Sequence, residues 1–200
     1  MSNAREPRAS GRNANPVYEL FVLGELMRGP QHGYKLQTIM QRILGPFHRL
    51  SWGTLYPLIR RLEQQGLITS TVETEAEEHT GERGQGRKVY SPTSAGRDRF
   101  FALMLEQGEY TSDYPDLFTM KLSKFPLITV EQRLLILQQY RAYLSTLREH
   151  YAAGSKQLTK NPGIGKDELP YLFQIAEHHI RKFDAELAWL DDMIQNMETT

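Results

Sequence analysis

Apolar positions along this 200-residue chain recur at two different periods, and the changes of period mark its elements. Over Val17 to Arg28, Leu20, Phe21, Leu23, Leu26 and Met27 fall at helical spacing, which predicts a first helix ended by Gly29-Pro30. A second helix is predicted from His32 to Leu44, with Tyr34, Leu36, Ile39, Met40 and Ile43 apolar and Gly45-Pro46 as its stop. Ser51 is placed to cap a third, Trp52 to Gln65, whose buried stripe is Leu55, Leu58, Ile59 and Leu62, with Gly66 closing it. Leu67 through Thr74, rich in Thr, Val and Ile, suits a strand. Glu75 to Gly86 reads as a loop, and Lys88-Val89-Tyr90 as the return strand. Thr93-Ser94-Ala95-Gly96 opens a fourth helix reaching about Glu109.

Residues 111–200 differ in kind. A short helix is predicted around Pro115 to Lys124, and a long one, capped by Thr129, from Val130 to about Ala153. After the break at Asn161-Pro162-Gly163, a last helix runs from about Glu168 to Met197. Its seam, Phe173, Ala176, Ile180, Phe183, Leu187, Leu190, Ile194 and Met197, keeps strict 3-4 spacing without a polar residue, a coiled-coil signature. At ~1.5 Å per residue this helix is about 45 Å long, long enough to pack against a partner chain as well as the preceding helix.

Three helices followed by a hairpin give the order of a winged helix-turn-helix, in which the third helix enters the DNA major groove and the hairpin tip is the wing. The expected fold is therefore mainly α with a small β-hairpin wing. The expected divisions are a disordered arm over residues 1–15, a winged-helix domain over 16–110 and a helical dimerisation arm over 111–200 in which an effector is a further expectation.

Composition and charge adjust this picture in three places. A chain that is 40% hydrophobic and 24% charged can bury a core. The absence of cysteine removes disulfides, zinc ribbons and thiol nucleophiles together. No apolar run approaches the ~18–20 residues of a membrane span, and no signal-peptide core follows the N-terminus, so the expectation is a cytoplasmic protein without a membrane partner. Net charge is zero, yet no acidic residue lies between Glu25 and Glu63, where Arg28, Lys35, Arg42, Arg49, Arg60 and Arg61 all fall. Such a local excess is the footprint that phosphate binding requires, although a solvated helix face gives the same pattern.

His32-Gly33-Tyr34-Lys35-Leu36, the segment Ser51-Trp52-Gly53-Thr54-Leu55-Tyr56-Pro57-Leu58-Ile59-Arg60-Arg61-Leu62-Glu63, and Gln65-Gly66-Leu67-Ile68 resemble the PadR family of transcriptional regulators. Gly86-Arg87-Lys88-Val89-Tyr90 and Thr93, Ala95 and Gly96 continue the match, which covers about residues 17–110. The resemblance implies a dimeric DNA-binding regulator, usually a repressor, on an inverted-repeat operator. Several members of the family answer to small aromatic or amphipathic effectors, so an effector is an implied partner.

The residues support a DNA-reading site in their own right. Gly53 allows close phosphate approach at a helix start. Ser51, Thr54 and Tyr56 offer hydroxyls there, and Arg60 and Arg61 can reach bases or backbone. The tip Arg83-Gly84-Gln85-Gly86-Arg87-Lys88 combines cations with glycines, and its Arg-bearing limb is expected to face DNA while Glu77, Glu78 and Glu82 stay in solvent. Lys35 suits a phosphate, whereas Tyr34 suits packing against the third helix. The candidate DNA contacts are thus Tyr34, Lys35, Ser51, Trp52, Gly53, Thr54, Tyr56, Arg60, Arg61, Arg83, Gln85, Arg87 and Lys88. No cofactor or metal is expected. Glu177-His178-His179 point ~100° apart on a helix and do not share one ion, and His32, His48, His79 and His150 show no ligand spacing, so no enzyme constellation stands out. Tyr110, Tyr114, Phe118, Tyr140, Tyr143, Tyr171, Phe173 and Trp189 supply either an effector pocket or ordinary core and interface anchors. Two other readings remain open: a winged helix used for protein contact, and an aromatic-ligand sensor without direct operator binding.

Overall fold

The first helix, α1 (Pro16–Leu26), is apolar on nearly every side and the fold buries it accordingly, with Leu20, Phe21, Val22 and Leu23 wholly inaccessible. The structure, a computed structural model, describes residues 16–45, 52–73 and 87–199. The chain divides into two compact units, Met1–Leu103 and Met104–Thr200. The arm expected over residues 1–15 lies outside the described residues.

In the first unit α1 is followed by β1 (Gln31–His32), α2 (Gly33–Leu44), α3 (Trp52–Gln64), β2 (Ile68–Glu73), β3 (Arg87–Pro92) and α4 (Ser94–Leu105). Leu36 and Met40 of α2, Leu55, Ile59 and Leu62 of α3 and Phe100 of α4 are buried, each worth about 1.5–3 kcal/mol of transfer free energy. Glu19, on the same buried helix, is neutralised by Arg99 of α4 at 2.7 Å. The sheet is antiparallel with order β1-β3-β2, and its register runs from Ile68 opposite Pro92 to Glu73 opposite Arg87. β1 places Gln31 opposite Tyr90 and His32 opposite Val89. Two residues carry no readable period, so this strand reads in the sequence as part of the turn and the start of the second helix.

The end of α3 and the start of α4 are joined closely. Leu67 donates to the Leu62 carbonyl and Gly66 to that of Glu63, with Gly66 at φ +70°, a left-handed helix stop. Thr93 donates from its backbone to Leu67 O (3.0 Å) and from its hydroxyl to Gly66 O (2.6 Å), while the hydroxyl oxygen accepts from Gly96 N. Gly96 lies so close to Leu67 that a Cβ would stand 1.9 Å from the carbonyl oxygen. α4 ends at Leu105, short of the expected Glu109.

The second unit holds α5 (Tyr114–Leu122), a single 3-10 turn at Phe125–Leu127, α6 (Val130–Leu158) and α7 (Leu169–Glu198). Thr129 and Gln132 form a reciprocal capping box at the start of α6. α6 continues through Gly154 past the expected Ala153, to Leu158. α6 and α7 are antiparallel: Arg141 pairs with Asp191 (2.7 Å) and Arg148 with Asp184, seven residues on along one helix and seven back along the other. Of the apolar seam on α7, Ala176, Phe183 and Leu190 are buried, Ile180, Leu187, Ile194 and Met197 are half-buried, and Phe173 is exposed.

Candidate nucleic-acid interface

α3 separates its residues cleanly by face. Leu55, Leu58, Ile59 and Leu62 point into the core, and Gly53, Pro57, Arg60 and Gln64 form the outward row, flanked by exposed Thr54 and Tyr56. Spacings of three and four put that row on one side of the helix. Arg61 is half-buried, and its Nη2 is buried without a hydrogen-bond partner among the described residues, so the two arginines are not equivalent. Pro57 lies in the second turn of α3, and the Gly53 carbonyl therefore lacks the amide four residues on. Ser51 lies outside the described residues, as does the Trp52 side chain, although Trp52 begins α3.

Acidic charge near this face is tied down. Glu63 accepts from the Ser70 hydroxyl on β2 at 2.6 Å. Tyr90 of β3 sits against the same flank: burial raises its phenol above the ordinary value, Glu63 and Tyr56 add to that, and Arg60 works in the opposite sense. Sequence reasoning missed Ser70 and Tyr90 here, since their role depends on the pairing of β2 with β3.

Lys35 is exposed near the start of α2. Tyr34 is not buried against α3; it is 49% exposed, and its ring stacks on His32 at 5.4 Å. Arg87 and Lys88 are exposed at the first positions of β3. Arg83 and Gln85, with Glu77, Glu78, Glu82 and His79, lie outside the described residues, and His48 does also.

In the second unit, six of the eight aromatic candidates meet. Phe118 stacks on Tyr140 at 3.8 Å, Tyr114 packs against Tyr110 and Tyr143, and Trp189 stands edge-on to Phe118. Tyr171 and Phe173 are exposed on α7 and take no part in this cluster. The Tyr140 hydroxyl donates to Glu186 at 2.5 Å, and burial with this carboxylate pushes its ionisation far up. Burial also pushes the Tyr114 phenol up to about 12. Beside them Lys121 is almost wholly buried, its Nζ donating to the Glu106 carbonyl. Of the histidines considered as ligands, His179 stacks on Tyr151, His178 is exposed, and Glu177 pairs with Arg181. Among the described residues no three His, Asp or Glu side chains gather as a metal site would require, and no helix is long and apolar enough to cross a membrane.

The sequence profile of the transcriptional regulator PadR-like family matches residues 22–102. Among curated proteins, none matches this chain. The chain is similar to the Bacillus subtilis PadR structure in complex with operator DNA, at 14% identity over 90% of this chain and 99% of that one, with a TM-score of 0.41. The corresponding structure with p-coumaric acid gives 15%, 91%, 99% and 0.38. The circadian clock associated protein Pex from anabaena gives 25% identity over 44% of this chain and 71% of its own, with a TM-score of 0.36. The matched stretch begins within α1 and ends within α4, taking in α2, α3, β2 and β3, so it is the first unit that is similar to the transcriptional regulator PadR-like family.

Proposed function

We propose that this regulator binds double-stranded DNA directly and sequence-specifically through α3, as a homodimer on an inverted-repeat operator. The observation that carries the reading is the outward face of α3: Gly53, Thr54, Tyr56 and Arg60 are exposed together, and the only acid on the helix, Glu63, is engaged by Ser70. An exposed Gly at a helix start admits a phosphate to the free amides, and Arg60 supplies bidentate base or phosphate contact. Lys35, Arg87 and Lys88, exposed on α2 and β3, add charge for the backbone. Two copies joined through α7 would set their reading helices one DNA turn apart, about 34–36 Å. A mobility-shift titration with the DNA upstream of the protein's own coding region tests this. Arg60→Ala and Arg87→Ala should weaken a specific complex that the native chain forms; unchanged affinity in both variants would contradict the assignment.

The six-ring cluster favours an added response to a small aromatic effector, with release from DNA, hence repression, as the expected outcome. Tryptophan fluorescence reports on it, because Trp189 touches Phe118. Quenching by planar phenolic compounds that also lowers DNA affinity would support the response; quenching without any change in DNA affinity would leave a sensor alone.

A further inference from the structure

The chain passes from its first unit into its second through α4, whose last residues, Met104 and Leu105, already belong to the second unit. Residues 106–113 follow without helix or strand, and Tyr114 opens α5. A helix end leaves its last carbonyls without intrahelical amide partners. Here side chains from two other helices meet the chain at that point. Gln139 of α6 donates from Nε2 to the Leu105 carbonyl at 3.4 Å, and Lys121 of α5 donates from Nζ to that of Glu106. An ammonium suits the negative end of a helix, but Lys121 is only 3% exposed, and burying a charge is costly. The Gln139 Oε1 is buried without a hydrogen-bond partner among the described residues, a further cost that leucine would not incur. Two polar side chains thus stand where apolar ones would pack more favourably, and what they hold there is the end of α4. The segment beyond is seated as well. Gly108, at φ +72°, lies where a Cβ would stand 3.4 Å from Leu117. The Tyr110 ring rests on those of Tyr114 and Tyr143, and its hydroxyl accepts from Gln107 at 3.0 Å.

We propose that Lys121 and Gln139 are positioning residues for operator recognition: by pinning the end of α4 they make the connection a stiff strut, which sets the half-site spacing that a dimer accepts. The inference rests on the proposed role as a dimer on an inverted repeat. In that dimer each reading helix α3 belongs to a first unit and each joining helix α7 to a second. The chain path from one reading helix to the other therefore crosses this connection twice. Two heads on flexible links engage half-sites over a range of separations, each with a modest gain from linkage. Two heads on stiff links gain most at the one separation that their geometry matches. Neither residue has to touch DNA for this effect.

The test uses three duplexes: the upstream DNA that the native chain protects in footprinting, the same DNA lengthened at its centre by a small insertion, and a version with one half scrambled. Anisotropy titrations of the full chain compare native protein, Lys121→Met and Gln139→Leu, after melting curves show each folded at the assay temperature. The native chain should bind the lengthened duplex about tenfold more weakly than the original, and both variants should bind the two within about threefold. On the half-scrambled duplex the variants should match the native chain. Gln139→Leu removes a buried unsatisfied oxygen, so it serves alone if Lys121→Met does not fold. Native discrimination retained in a folded variant overturns the inference, as does a native chain indifferent to the insertion. An equal loss of affinity on all three duplexes also overturns it, because the defect is then in the reading heads themselves. Absence of specific binding by the native chain to any upstream DNA would instead overturn the DNA-binding reading beneath it.

Discussion

Replacing Gly96 by alanine should be one of the most damaging single-methyl additions available in the first unit. The added Cβ would lie 1.9 Å from the Leu67 oxygen and 2.9 Å from its carbonyl carbon. Both are backbone atoms, so no side chain can rotate away. Restoring ordinary contact requires α4 and the start of β2 to part by about 1.5 Å. That movement stretches the Thr93 hydrogen bonds to Gly66 O (2.6 Å) and Leu67 O (3.0 Å) beyond useful length. Overpacking costs about 1–3 kcal/mol, and two weakened hydrogen bonds add about 1 kcal/mol each. The better helix propensity of alanine offsets about 1 kcal/mol, leaving a net loss on the order of 3 kcal/mol. For a unit of this size that lowers the melting temperature by roughly 10–20 °C. Circular dichroism melting of Gly96→Ala measures it, with Gly154→Ala as the control, since a Cβ at Gly154 on α6 meets nothing within 4 Å. The control should melt at or slightly above the native temperature. A Gly96→Ala protein melting within about 2 °C of native would refute the close-approach argument.

Tyr140→Phe keeps the stack on Phe118 but strands Glu186 without its phenol donor; a loss of about 1.5–3 kcal/mol is expected in urea unfolding of the second unit, and no loss would show the hydrogen bond to be inert. Leu190→Ala, at a wholly buried seam position, should destabilise by about 2–5 kcal/mol, whereas exposed Phe173→Glu should leave the melting temperature nearly unchanged and shift sedimentation toward monomer; a dimer that persists in Phe173→Glu would place the interface elsewhere. Lys121 is pushed down to about 8 by burial, Glu106 working the other way, so between pH 8 and its ordinary range the unfolded chain binds the additional proton and stability should rise with pH. Tyr114, pushed up to about 12, and Tyr140 act with the opposite sign: their contribution is present below the ordinary phenol value and declines above it. The second unit should therefore be most stable near pH 10, and Lys121→Met should abolish the rise from pH 8 if the buried amine is its cause.

How much of this was legible in the sequence depended on the length of each pattern. α3 could be placed to within a residue because Leu55, Leu58, Ile59 and Leu62 repeat at helical spacing and Gly66 ends the run. The thirty-residue α7 was equally plain. Single-residue environments were not. Arg60 and Arg61 look alike as neighbours in the chain, but a 100° step turns one outward and half-buries the other. Tyr34 looked like a packing residue, and only the pairing of the two-residue β1 with β3 shows what it stacks on. Tyr171 and Phe173 shared a candidate list with Tyr140, although they face away from the cluster that Tyr140 centres. Periodicity reports which face of an element is apolar; it does not report which partner meets that face.

The measurement closest to the central claim is the salt dependence of DNA affinity, taken with the chain's own upstream DNA and with a scrambled duplex of equal length. In the proposed complex, contacts from Lys35, Arg60, Arg87 and Lys88 of each of two subunits would neutralise several phosphates, each contributing about −0.9 to the slope of log affinity against log salt. The account predicts specific binding with a steep negative slope, and a shallower slope for Lys35→Ala. Equal affinity for the two duplexes, or a slope near zero, would contradict it.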